Sequence, residues 1–320
     1  MLYVFYNEFD ENKYADFVLK DLHNQKVRVV PCGLSLWIYK NRLTRILFNI
    51  GFYLRIPFFF NFTDDFKDIC RNIKKSDSIL IFGGGIGLSP RIFYPLFKIC
   101  KAGRRYVWLW DSVRNKKEEK NLIYAKKYCD CFTFDSLNAR KYGIKYKNTV
   151  CPVPKVDDSK NSAQECDVYF VGLDRGRYEI LNKYYENFLK IGLSCKFIVL
   201  RDRISSAKEK TLKFSSKRIS QDENYDNILA AKAVLDLPVS EQSGLTQRPL
   251  EAIFLGRKVI TDNQNIKNEK IYDERNIFVL SDENLGGLSD FVSSPFHDVD
   301  ATSYQIDEWI KEFITEDSGS

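Results

Sequence analysis

Short apolar runs alternate with longer amphipathic stretches along almost the whole chain. In the first half the runs are Leu2 to Tyr6, Val27 to Pro31, Ser78 to Phe82, Arg105 to Trp110, Cys131 to Phe134 and Asn148 to Val153. Their brevity and their β-branched and aromatic content predict strands. The stretches between them, near 12–23, 36–54, 64–74, 89–101, 115–127 and 136–142, carry a helical pattern. Such alternation predicts a parallel sheet covered by helices. From Pro154 to Gln164 the chain turns polar and reads as an interdomain linker. A second set follows, with strands at Asp167 to Val171, Cys195 to Leu200, Ala233 to Leu237, Lys258 to Thr261 and Ile277 to Leu280. Helices are expected near 176–190, 222–231, 247–255, 284–292 and 303–314. The expected architecture is α/β: two doubly wound Rossmann-like domains, 1–155 and 165–302, facing a cleft. A terminal helix within 303–320 is expected to cross back to the first domain. Ligands of such sheets bind beyond the carboxyl ends of the strands.

Composition narrows the class. The 320 residues suffice for two ordinary cores, and 44% hydrophobic with 29% charged residues describes a folded rather than a disordered chain. A formal charge of +6 suits an anionic substrate or an anionic membrane face but falls short of a nucleic-acid binder. The eight cysteines form no C-x-x-C pair and the only histidines are His23 and His297. A zinc site and a disulfide framework are therefore not expected, and reduced cytoplasmic thiols are. The N-terminal run reads as a strand rather than a signal peptide. Residues 36–62 are rich in aromatics, including Phe58-Phe59-Phe60, but Lys40, Arg42, Arg45 and Arg55 interrupt them. That excludes an apolar span of about 20 residues. The segment suits either peripheral contact with an anionic membrane or a pair of core helices.

The segment Ser243-Gly244-Leu245-Thr246-Gln247-Arg248-Pro249-Leu250-Glu251 leads through Gly256 to the strand at 258. Proline is tolerated in a first helical turn and glycine suits the position past a helix end. A helix start attracts phosphate, Arg248 adds charge there, and Glu251 lies one turn inside. Locally, this describes either a nucleotide-sugar site or an ordinary capped helix–strand unit. Gly172, Asp174, Arg175 and Arg177 follow the second domain's first strand, as a diphosphate-binding turn or a solvated basic one. The loop through Gln242 also follows a strand's carboxyl end. Gly83 to Gly87 fails the dinucleotide spacing, so Gly84 and Gly85 read as a turn approached by substrate or a plain tight turn. Asp111, with Ser112, is either a general base at a strand's carboxyl end or a helix cap. Asp135 repeats the arrangement and reads as a cap.

Together these residues resemble GT-B glycosyltransferases, most nearly bacterial proteins of lipopolysaccharide, O-antigen and capsule assembly, including the CgeB-like group. The resemblance is carried by Asp167 to Gly172 with Asp174 to Arg177, by Gln242 to Thr246 with Arg248 to Ala252, and by Lys258 to Asn263. Trp110-Asp111-Ser112 and Phe134-Asp135 extend it into the first half. It implies a donor-binding second domain that holds a nucleotide-sugar through Gly172, Asp174, Arg175, Arg177, Gln242 to Thr246 and Arg248, with Glu251 on the ribose. It implies a first domain that takes a glycan or lipid-linked glycan acceptor near Gly84, Gly85 and Ser112, with Asp111 as the base if the reaction inverts. No metal or cofactor is implied. Many retaining members carry an acid eight residues before the ribose acid, where this chain has Ser243, so the stereochemistry stays open. An epimerase of the same fold and a non-catalytic scaffold are the alternatives.

Overall fold

The computed structural model describes residues 1–6, 14–31, 64–83, 100–113, 115–156, 164–203, 205–239, 243–281 and 285–314. The chain divides into two compact units, Met1–Val150 with Ile306–Ser320, and Cys151–Gln305. The segments at 36–62 and 84–99, and most of the expected linker, lie outside the described residues.

The first unit is built on strands β1 (Leu2–Tyr6), β2 (Val27–Pro31), β3 (Ser78–Phe82), β4 (Arg104–Leu109), β5 (Asp130–Thr133) and β6 (Lys145–Tyr146). They are parallel and lie in the order β2-β1-β3-β4-β5-β6, so the winding reverses between β1 and β3. Its described helices are α1 (Tyr14–Leu19), α2 (Asp64–Asn72), α3 (Lys116–Ala125) and α4 (Ser136–Tyr142). Every residue of β3 is buried, because the strand feeds two cores at once. Ile79 and Ile81 join Phe5, Phe66, Val107 and Leu109 on one face. Leu80 and Phe82 join Val4, Trp108 and Phe132 on the other.

That second core is completed by the end of the chain. Helix α9 (Ile306–Trp309) and the 3-10 turn Ile310–Phe313 bury Trp309 and Phe313 against it. Trp309 meets Trp108 edge-on at 4.9 Å, and its Nε1–H donates to the Asn148 carbonyl at 2.7 Å.

The second unit contains β7 (Cys166–Leu173), α5 (Tyr178–Lys190), β8 (Cys195–Leu200), β9 (Phe214–Ser215), α6 (Gln221–Leu229), β10 (Ala231–Asp236), α7 (Gln247–Phe254), β11 (Lys258–Thr261), β12 (Ile277–Val279) and α8 (Leu288–Ser293). Its parallel order, β12-β11-β10-β7-β8-β9, reverses between β7 and β10. Both sheets are doubly wound, as the alternation predicts.

Two local expectations fail, and the two-residue β6 and β9 lie outside every expected strand. Asn148 to Val153 is not a strand, although Val150 and Cys151 are buried; Pro152 and Pro154 supply no amide to a ladder, and Cys151 N–H bonds instead to the Tyr304 carbonyl at 2.9 Å. β9 is two residues long and escapes a pattern search. The stretch at 303–314 is a series of short turns rather than one helix. The units join at Val150/Cys151 and Gln305/Ile306, a few residues from the expected boundaries.

Candidate functional site

In a doubly wound sheet the crevice opens where the strand order reverses, beyond the carboxyl ends of the two diverging strands. In the second unit these ends are Leu173 and Asp236. Two of the three arginines singled out from the sequence, Arg177 and Arg248, meet there.

Arg248, in the first turn of α7, ion-pairs through Nη1 with Asp236 Oδ1 at 2.7 Å. Its Nη2 donates to the Val171 carbonyl at 2.7 Å. Arg177, just before α5, donates to the carbonyls of Leu173 (2.7 Å), Asp174 (3.2 Å) and Leu237. Both guanidiniums lie over the Phe170 ring, at 5.1 and 5.9 Å. Gly172 makes room for them: a Cβ there would stand 3.4 Å from Arg248 Nη2 and 3.6 Å from Arg177 Nη2. Burial pulls the Arg177 guanidinium down to about 10, and the neighbouring charge of Arg248 adds to it.

Asp236 is the hub of this arrangement. It is 1% exposed, and Oδ1 accepts from both Arg248 and the Thr246 hydroxyl (2.8 Å), while Oδ2 is buried with no partner among the described residues. Thr246 occupies the N-cap of α7, but because its hydroxyl turns to Asp236 it makes no cap bond to the helix. The start of this helix thus lacks the cap bond that its N-cap hydroxyl could have supplied. Asp262, one residue past β11, is raised to about 6 by burial and by the charge of Asp236.

The turn after β7 is built for close approach. Arg175 adopts φ +47° and Gly176 φ +76°, and the Arg175 amide donates to Asp202 at 2.8 Å. The Arg175 side chain is exposed. Asp174 is buried; its Oδ1 accepts from the Tyr178 amide at 2.7 Å and so serves the start of α5. Glu251 turns toward the first turn of α6, where Oε1 accepts from Gln221 (2.8 Å) and Oε2 from Asn224 (3.2 Å). Burial raises its carboxyl, and Arg248 and the two amides oppose that rise. Ser243, Gly244 and Leu245 are buried, and the Ser243 carbonyl accepts from Asn263 Nδ2 at 3.4 Å. Gln242 lies outside the described residues.

In the first unit, Asp111 stands exposed just beyond the carboxyl end of β4. Ser112, expected at an acceptor, is instead buried and donates to Asp135 Oδ2 at 2.9 Å. Asp135 caps α4, its Oδ1 accepting from the amides of Leu137 and Asn138. Gly83 ends β3 at the reversal point of its sheet with φ +129°; Gly84 and Gly85 lie outside the described residues.

The sequence reading missed Asp236 and the role of Asp262. The signal was available: Asp236 ends β10 and Asp262 follows β11, the carboxyl-edge position that singled out Asp111. Among the described residues no cluster of metal-ligating side chains occurs, and no helix is long and apolar enough to cross a membrane.

No protein-family model matches the chain, and no curated protein matches it. Among solved structures it is similar to the glycotransferase of kitacinnamycin, at TM-score 0.45 and 9% identity over 92% of this chain and 91% of that one. It is also similar to the spinosyn forosaminyltransferase SpnP, at TM-score 0.38 and 10% identity over 98% and 95%. At that distance, the functional case rests on this chain's own residues.

Proposed function

We propose that the protein is a glycosyltransferase that moves a sugar from a nucleotide-sugar to a cell-surface glycan of the lipopolysaccharide, O-antigen or capsule type. The observation that carries the reading is the convergence, at the reversal point of the second sheet, of the α7 start, whose N-cap hydroxyl is turned to Asp236, with Arg175, Arg177 and Arg248. In the proposed mechanism the diphosphate lies on the α7 start with the exposed Arg175 beside it. Leaving-group charge is then met by fixed amide dipoles and guanidinium groups. Arg248 and Arg177, held by Asp236 and backbone carbonyls, form the cationic floor. Glu251, oriented by Gln221 and Asn224, receives the ribose hydroxyls. Asp111 is the proposed base, at a strand end open to solvent.

Thermal shift with a panel of nucleotide-sugars tests the donor site, since a ligand of the folded state raises Tm according to its affinity. At least one should stabilise the protein, and Arg175→Ala should weaken binding of its nucleoside diphosphate about tenfold, the loss of one charge-assisted contact. Calorimetry showing no nucleoside diphosphate binding would sink the donor site. Conversion of the nucleotide-sugar without any acceptor would mark an epimerase instead.

A further inference from the structure

The first unit carries a second feature, at the opposite edge of its sheet from Asp111. A cavity of about 950 Å³ opens along the amino ends of β4, β5 and β6, which begin at Arg104, Asp130 and Lys145. Six cationic side chains line it: Lys75, Lys101, Arg104, Arg105, Lys126 and Lys145. Among the described residues two acids share the lining. Asp130 pairs with Lys145 at 3.4 Å, and Glu312 is engaged by Lys147 at 2.6 Å. Lys75, Lys101 and Arg104 are exposed and make no ion pair among the described residues. Tyr106, Tyr128 and Phe132 supply aromatic wall between the charges.

The cluster is held together by one close approach. Gly103 donates its amide to the Asp77 carbonyl at 3.1 Å, and a Cβ at this glycine would fall 2.2 Å from the Lys75 carbonyl oxygen. Only glycine lets the 101–104 loop pack on the 74–77 turn, and that packing sets Lys101 and Arg104 beside Lys75. Cationic side chains gathered along one groove attract a multivalent anion.

We propose that this groove binds a ligand bearing more than one phosphate group. Arg104 offers a planar fork to phosphate oxygens, and the lysines act as point charges around it. The volume exceeds what one phosphate fills, and the open mouth admits a phosphate attached to something larger. Such groups reach a protein either as soluble polyphosphates or as anionic phospholipid headgroups. The site is independent of the donor reading, because it uses the other sheet and the other edge.

The test uses the full chain. Calorimetry measures binding of inorganic tripolyphosphate, and co-sedimentation measures binding to phosphatidylcholine vesicles with and without cardiolipin, whose headgroup carries two phosphates. The comparison protein is Lys101→Glu/Arg104→Glu, both exposed, whose Tm should match the parent's. Binding to either probe, reduced tenfold or more in the double variant, supports the groove. Tripolyphosphate alone identifies a soluble ligand; the anionic vesicles, with or without it, identify a lipid headgroup. Failure of the parent to bind both probes overturns the proposal. So does binding that the double variant keeps in full, which would place the anion elsewhere on the chain.

Discussion

At the scale of single residues, the second unit's site is a balance around one buried carboxylate. From sequence alone, Arg248 reads as a free cation awaiting phosphate, whose loss would leave the fold untouched. The structure ties it to Asp236, which is 1% exposed. Removing one partner of a buried pair strands the other charge. Arg248→Ala should therefore cost about 3 kcal/mol of stability, read by chemical denaturation, and an unchanged midpoint would refute the pairing. Asp262 gives a pH signature. Its folded-state carboxyl is raised to about 6 from 3.8 by burial and by Asp236. The folded protein then holds this proton more tightly than the unfolded chain does. Its contribution is full below pH 4 and lost as pH rises through 6. Asp262→Asn should erase that decline and gain about 1 kcal/mol at pH 7 after allowance for solvent screening. Melts of both proteins at pH 4 and pH 7 check it: a constant difference between them excludes the effect.

At the scale of elements, what could be read in advance was whatever a local pattern determines. Strands β3, β4 and β10 are apolar runs that the chain bounds plainly, and α7 carries its proline and glycine at the expected ends. The site's location at a strand's carboxyl edge followed from that order. Its wiring did not. Asp236 reaches Arg248 across a loop and twelve positions, and Ser112 reaches Asp135 from the next strand, contacts that depend on tertiary geometry alone. The two-residue β9 and the proline-blocked stretch at 148–153 fall below what periodicity can resolve. Gly172 shows the link between element and site. In β7 its missing side chain admits both guanidinium tips, so Gly172→Ala places a methyl 3.3 Å from Phe170 and 3.4 Å from Arg248. Strand pairing should survive while nucleoside diphosphate affinity falls severalfold. Calorimetry beside a Tm measurement separates the two, and unaltered affinity would remove Gly172 from the site.

At the scale of the molecule, the terminal segment is part of the first unit's core rather than an appendage of the second. Trp309 is 1% exposed and contacts Trp108 and Phe82. Trp309→Ala should destabilise the first unit by about 3–5 kcal/mol. Denaturation followed by hydrogen exchange should show the loss in the amides of β3 and β4 and spare those of β7 and β10. Equal loss in both sheets would mean that the units unfold as one.

The return of residues 306–314 to the first sheet also sets an order of events during synthesis. The ribosome releases β1 to β6 before the second unit, yet their second core lacks Trp309 and Phe313 until the second unit has also emerged. The second unit is one uninterrupted stretch and can close once α8 and the residues up to Gln305 are out. The unit made first is thus the one finished last, and it waits with Trp108 uncovered while its neighbour folds.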